Sequence, residues 1–148
     1  MITPYLSVTE AQAYFDDRLN SEAWELATDV DKLKALKTAT SKINNLRFAG
    51  KPAVDGQGNE FPRYGQTIVP ISIQEATCEL ALVLLNEVDV NQEIENLAAT
   101  SETFTSVKTT YTRDFVLSHI RNGIPSSEAW AKLLPYLLDP LSVRLVKG

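Results

Sequence analysis

The chain has 148 residues, 44% of them hydrophobic and 22% charged, with a formal net charge of −5. That length supports one domain burying roughly 68–70% of its unfolded-chain surface without disulfides, and the composition excludes a fibrous or disordered chain. The acidic balance weighs against generic nucleic-acid binding, the lone Cys78 excludes an internal disulfide or a cysteine-based metal site, and no apolar run approaches the roughly 20 residues of a membrane span.

A lone thiol fits a reducing, intracellular setting, and the opening stretch "MITPYLSVTEAQ" lacks the basic flank and long apolar run of a signal peptide. The first helix is announced by "LSVTEAQAYFDDRL", where Ser7 caps, Glu10 completes a capping box and Leu6 sits just outside. Val8, Ala11, Phe15 and Leu19 recur at helical spacing and form its buried stripe. After a break at Asn20-Ser21, Trp24 belongs to a short turn, and Thr28 with Asp31 marks another cap. A long second helix follows with Leu33, Leu36, Thr40 and Ile43 on one face. Residues 32–51 carry Lys32, Lys34, Lys37, Lys42, Arg47 and Lys51 with no Asp or Glu. This local cationic surface reads as a solvated helix face, a contact for an acidic partner, or a contact for nucleic acid.

Gly50, Gly56, Gly58 and Gly65 interrupt any regular pattern over residues 50–70, while Pro52, Pro62 and Pro70 stiffen it. Phe61 and Tyr64 are its expected aromatic anchors against the helices. The third helix, in "PISIQEATCELALVLLNEV", is read with Ser72 as cap, Glu75 at the capping-box position and Ile71 as an outside staple. Ile73, Ala76, Leu80 and Leu84 form its stripe, and Val83 and Leu85 widen the apolar coverage. Such a helix lies at the centre of a bundle or is covered partly by another subunit.

Residues 86–103 extend that helix or form a short one. "TFTSVKTTYT", with Phe104 and Tyr111 among threonines, reads as a β-like arm over about 102–113. The last helix starts near Ser126 or Ser127 and places Trp130, Leu133, Leu134, Leu137 and Leu138 on one broad face, with Pro135 kinking or breaking it. The segment 141–148 intersperses Leu141, Val143, Leu145 and Val146 with Arg144 and Lys147. It docks on the core or is lent to another protein. The expected fold is therefore mainly α: a small helical bundle over 1–140 with a long Gly/Pro loop, a β-like arm and an extended C-terminal docking tail over 141–148.

No assembled active site is legible. "AGKPAVDGQG" has Pro52 after Lys51 and no adjoining helix, so it is not a phosphate-binding loop. The dinucleotide fingerprint fails for want of a preceding strand. His119 is the only histidine, which excludes a two-histidine metal set, and no GxSxG elbow accompanies it. A Cys-His pair would require Cys78 to leave its apolar helix face. Asp16-Asp17 and the Glu93–Glu95 pair point to different helical faces, and Glu75 with Glu79 reads as a cap plus an exposed stripe. Enzymatic activity and a cofactor are not expected. Stacking of bases on Trp24, Phe48, Phe61, Tyr64 and Tyr111 beside the cationic segment is the alternative binding chemistry.

The ordered series "YLSVTEAQAYFDDRLNSEAW", "DKLKALKTATSKINNLRFAGKP", "FPRYG", "VPISIQEATCELAL" and "LLPYLL" resembles the small head–tail connector (adaptor, head-completion) proteins of tailed bacteriophages. That group also carries the label DnaT-like single-stranded-DNA-binding protein. Phe48 stands where many relatives have tryptophan. The resemblance implies a mostly helical virion subunit, assembled in the host cytoplasm. It would form a ring, commonly twelvefold, between the portal and a tail terminator, stopper or tail-tube protein. It implies portal docking by Leu141, Val143, Arg144, Leu145, Val146 and Lys147, and neighbour or channel contacts by Arg47, Lys51, Phe61, Arg63, Tyr64, Phe104 and Tyr111. Lys34, Lys37 and Lys42 would face an acidic partner or the packaged double-stranded DNA. No membrane contact is implied. The alternative function is a single-stranded-DNA-binding module.

Overall fold

The computed structural model describes residues 2–86, 119 and 122–138. The arm at 102–113, with Phe104 and Tyr111, lies outside the described residues. So does the docking segment with Leu141, Val143, Arg144, Leu145, Val146 and Lys147. Within the described residues the protein is mainly helical: α1 (Val8–Asp16), α2 (Glu22–Leu26), α3 (Asp29–Asn44), α4 (Ile71–Leu85) and α5 (Ser127–Leu133), followed by a 3₁₀ turn over Leu134–Tyr136.

The expected capping box opens α1. Ser7 Oγ accepts the Glu10 N–H at 3.1 Å, and Glu10 Oε1 accepts the Ser7 N–H at 2.9 Å. The stripe is shorter than its periodicity suggests. Ala11 and Phe15 are buried, but the helix ends at Asp16 and Asn20 turns the chain with a φ of +59°, leaving Leu19 83% exposed. In α2, Trp24 is fully buried. Its ring stacks on Phe15 at 4.6 Å and its Nε1–H donates to Gln12 Oε1 at 2.9 Å.

Thr28 caps α3 as expected, accepting the Asp31 N–H at 3.1 Å. Its buried face differs from the sequence reading. Lys32, Ala35, Leu36, Ala39, Thr40 and Ile43 point inward, whereas Leu33 is exposed. The small side chains Ala35 and Ala39 let α3 approach α4 closely, a role that a search for large aliphatic residues misses. Lys32 is buried because its ammonium lies over the Trp24 ring at 5.2 Å and donates to Gln12 Oε1 at 3.4 Å.

α4 is the central helix. It packs chiefly against α3 and α5, with α1 and α2 across it, so every residue from Ala76 to Leu82 is buried. Its apolar breadth is thus used within the chain. The expected Ser72 cap and Ile71 staple are corrected: Pro70 is the N-cap without a side-chain bond, Ile71 is helical and exposed, and Ser72 lies inside the first turn. Proline's fixed φ suits a helix start two residues earlier than the serine signal suggests. Glu75, freed from capping, accepts from Lys132 of α5 at 3.1 Å.

α5 begins where expected, with Ser126 Oγ accepting the Ala129 N–H at 3.0 Å. Pro135 lies within the tighter turn that follows Leu133, so the predicted break is real. Beyond it, Leu137 pairs antiparallel with Phe48, with the Ala49 N–H donating to Tyr136 O and the Leu138 N–H to Arg47 O, each at 3.0 Å. Leu133 and Leu137 face the core, but Leu138 is exposed.

Candidate nucleic-acid interface

The cationic stretch runs along α3 and into the loop. Its members separate once side chains are placed. Lys32 is committed to Trp24 and Gln12. Lys34 lies opposite the buried face, and Lys37 and Lys42 are half-buried on its flanks; Lys37 has an interaction within the chain. Arg47 and Lys51 are exposed at the end of α3 and the start of the loop. The aromatic set separates as sharply. Trp24, Phe48 and Phe61 are buried, so they are withdrawn from base stacking, while Tyr64 is 76% exposed.

The loop is irregular but tightly built. Pro52 bridges antiparallel to Arg63, the Ala53 N–H donates to Pro62 O at 3.0 Å, and the Tyr64 N–H donates to Lys51 O at 2.7 Å. Lys51 and Tyr64 are therefore paired through their backbones across a short ladder, and both are exposed. Beneath them, Arg63 is buried, and its guanidinium satisfies backbone carbonyls that no helix or sheet would otherwise reach. Nε donates to Ala49 O at 2.9 Å, Nη2 to Gly50 O at 2.7 Å and Phe48 O at 3.4 Å, and Nη1 to Glu60 O at 3.1 Å. The Glu60 carboxylate, 2.7 Å from Nη1, supplies the opposite charge. Gly50 meets this clamp with a φ of +83°, a conformation that disfavours side chains.

Phe61 anchors the loop as expected. Its ring meets Phe48, Tyr136 and Tyr5 edge-on at 4.8, 5.6 and 6.0 Å. Tyr64 does not anchor it. Asn44 and Asn59 tie the loop to α3 and the N-terminal segment: Asn44 Nδ2 donates to Asn59 Oδ1 at 2.9 Å, and Asn59 Nδ2 to Thr3 O at 2.8 Å. Phe61 and Arg63, proposed by resemblance as neighbour or channel contacts, thus serve the chain's own packing. Arg47, Lys51 and Tyr64 are presented outward.

Several titratable groups outside the loop have structural partners. Glu79 is buried, not part of an exposed stripe. Arg18 grips it from the end of α1, with Nε to Oε2 at 2.7 Å and Nη2 to Oε1 at 2.8 Å, and the Tyr14 hydroxyl donates to the same carboxylate. An Arg and a Tyr four residues apart, preceding an apolar helix with one inward acid, were the legible signal for this pair. Burial, reinforced by Glu79 and Glu75, pushes the Cys78 thiol up to about 12, so the neutral thiol dominates at pH 7. His119 Nδ1 lies 2.7 Å from Ile124 O, and the ring sits beside Trp130. Among the described residues no group of His, Cys, Asp and Glu could hold a metal ion. A groove of about 160 Å³ between α1 and α4, reaching Tyr14 and Cys78, is smaller than the roughly 300–1,000 Å³ of ligand pockets.

No curated protein and no solved structure matches the chain. One family model does, described as "Putative DnaT-like ssDNA binding protein", and it spans residues 3–148. A match over nearly the whole length, rather than over one helix, means that the chain belongs to this DnaT-like ssDNA-binding protein family.

Proposed function

We propose that the chain is a non-catalytic binding subunit that holds single-stranded DNA by its phosphates, without reading sequence. The observation that carries this reading is the Lys51–Tyr64 pair: an exposed cationic residue and an exposed aromatic one, paired through their backbones on a loop held by Arg63. Lys34, Lys42 and Arg47 continue the positive track along α3. With Trp24, Phe48 and Phe61 buried, stacking falls to Tyr64 among the described aromatics named for it, and phosphate contacts dominate. Family membership points to the same ligand. Titration of a labelled oligonucleotide across a salt series tests it. The expected result is an affinity that falls linearly on a log–log plot, with a slope of about −0.7 per phosphate neutralised. Lys51→Ala with Tyr64→Ala should weaken binding by about 1–3 kcal/mol, most of it from the lost ring. Absence of any signal change or salt effect would exclude this reading.

A second reading follows from the ordered sequence resemblance and from apolar side chains left in water at the α2–α3 corner. In it the subunit is a head–tail connector, a ring of identical copies between the portal and the tail. A mass measurement of the protein mixed with a portal protein separates the two readings, because only the connector forms a defined complex without DNA.

A further inference from the structure

A guanidinium carries five N–H donors in a fixed planar fork. In Arg63 all five have acceptors within the chain. The Nε–H donates to Ala49 O at 2.9 Å, one Nη1 hydrogen to Glu60 O at 3.1 Å and the other to the Glu60 carboxylate at 2.7 Å, and the Nη2 pair to Gly50 O at 2.7 Å and Phe48 O at 3.4 Å. Three successive carbonyls, those of residues 48–50, thus converge on one side chain. The Phe48 and Phe61 ring centroids each lie 5.8 Å from its central carbon and help to fix its plane. Only 8% of Arg63 is exposed, and no donor is left over for a phosphate.

The residues that this fork holds adjoin the exposed pair. Lys51 follows Gly50, and Tyr64 follows Arg63 itself. Between the two segments run the Tyr64 N–H to Lys51 O bond at 2.7 Å, the Ala53 N–H to Pro62 O bond at 3.0 Å and the Pro52–Arg63 bridge. Gln66 closes the far side: its Oε1 accepts the Arg63 N–H and its own N–H donates to Arg63 O, each at 2.8 Å. The pairing lies outside every described helix, so its register depends on these side-chain bonds. We propose, on the basis of the single-stranded-DNA reading above, that Arg63 is a positioning residue of that surface. It touches no nucleic acid itself, and it acts by holding residues 48–50 against residues 60–63 so that Lys51 and Tyr64 stay in register. A lysine at this position keeps the charge but not the fork. Its ammonium has three donors at one point, so two or more of the five acceptors lose their partner, and a buried acceptor left unsatisfied is costly. Charge and position are therefore separable by one substitution.

Titration of a labelled oligothymidylate with the full chain compares the parent, Arg63→Lys, the Lys51→Ala/Tyr64→Ala pair and the triple variant. Arg63→Lys should weaken binding by about fivefold or more with an unchanged helical circular-dichroism signal, yet change it by less than about twofold once the Lys51 and Tyr64 side chains are already removed. Hydrogen exchange on the DNA-free protein measures the clamp independently. In Arg63→Lys the Tyr64 and Ala53 amides should exchange about tenfold faster or more, while those of α4 keep their protection. Gly50→Ala strains the left-handed residue, φ +83°, whose carbonyl the fork grips. It should shift both measurements in the same direction, and it decides the outcome if Arg63→Lys loses its helical signal. Equal affinity of the parent and Arg63→Lys, an equal loss in both backgrounds, or unchanged Tyr64 exchange overturns the inference and leaves the DNA reading in place. A parent that binds no oligonucleotide removes both.

Discussion

The 50–70 loop and the α2–α3 corner invert the usual association of regular structure with burial. The loop, with four glycines and three prolines, buries Phe61 and Arg63. The corner, built from two capped or acid-started helical segments, leaves Leu26 and Val30 in water. The difference lies in what stands opposite each. Phe61 meets three rings drawn from the N-terminal segment, residue 48 and the turn after α5, and Arg63 finds carbonyls at the right distances. Leu26 and Val30 face no described element of their own chain. Burial follows from partners, and local regularity is a poor guide to it.

Phe61 ties the loop to the core more firmly than any other loop side chain with ring contacts among the described residues. Phe61→Ala should cost about 3–5 kcal/mol, because the aromatic contacts and the packing beneath Arg63 are lost together. Urea unfolding monitored by circular dichroism measures this; a loss below about 1 kcal/mol would mean that the loop is not a true part of the core.

Alkali acts on the α4 core. The Cys78 thiol is held neutral up to about 12 in the folded chain but ionises near 9 when unfolded. Its contribution is thus fully present below pH 9 and is lost as pH rises from 9 towards 12, at up to about 1.4 kcal/mol for each pH unit. Tyr5 and Tyr14, both raised by burial, add to the loss in the same direction. Unfolding midpoints at pH 8, 9 and 10, compared with Cys78→Ala, isolate the thiol's share: the variant should show the shallower decline.

The smallest effect belongs to the corner. Leu26→Ser with Val30→Ser should change the stability of the dilute protein by no more than about 0.5 kcal/mol, since neither side chain leaves an apolar surrounding. A loss of 2 kcal/mol or more would show that these residues are covered within the chain and would erase the contrast with the loop.

Much of this architecture was legible in the residues themselves wherever the cause is local. The Ser7–Glu10 box, the Thr28 and Ser126 caps and the break at Pro135 each depend on atoms within a turn, so their spacing sufficed. Register on a helix was less legible. Leu33 seemed an obvious core residue and Lys32 an obvious surface one, yet the small Ala35 and Ala39 direct α3 against α4, and Trp24 draws Lys32 inward. At the candidate interface the cationic segment and the two loop aromatics were visible in advance. Their assignment was not: Phe61 and Tyr64 differ little in character, and only contacts across tens of residues separate an inward anchor from an outward ring.

Sequence alone therefore determined the capped starts of α1, α3 and α5, the break at Pro135 and that α4 is apolar on more than one side, because those properties depend on neighbours within about four positions. Tertiary structure decided which charges are spent and which remain on the surface. Glu79 with Arg18, Glu75 with Lys132, and Arg63 with the loop carbonyls are pairings over 13 to 61 residues. Such pairings exist only once packing has excluded water from one partner and brought the other to within about 3 Å.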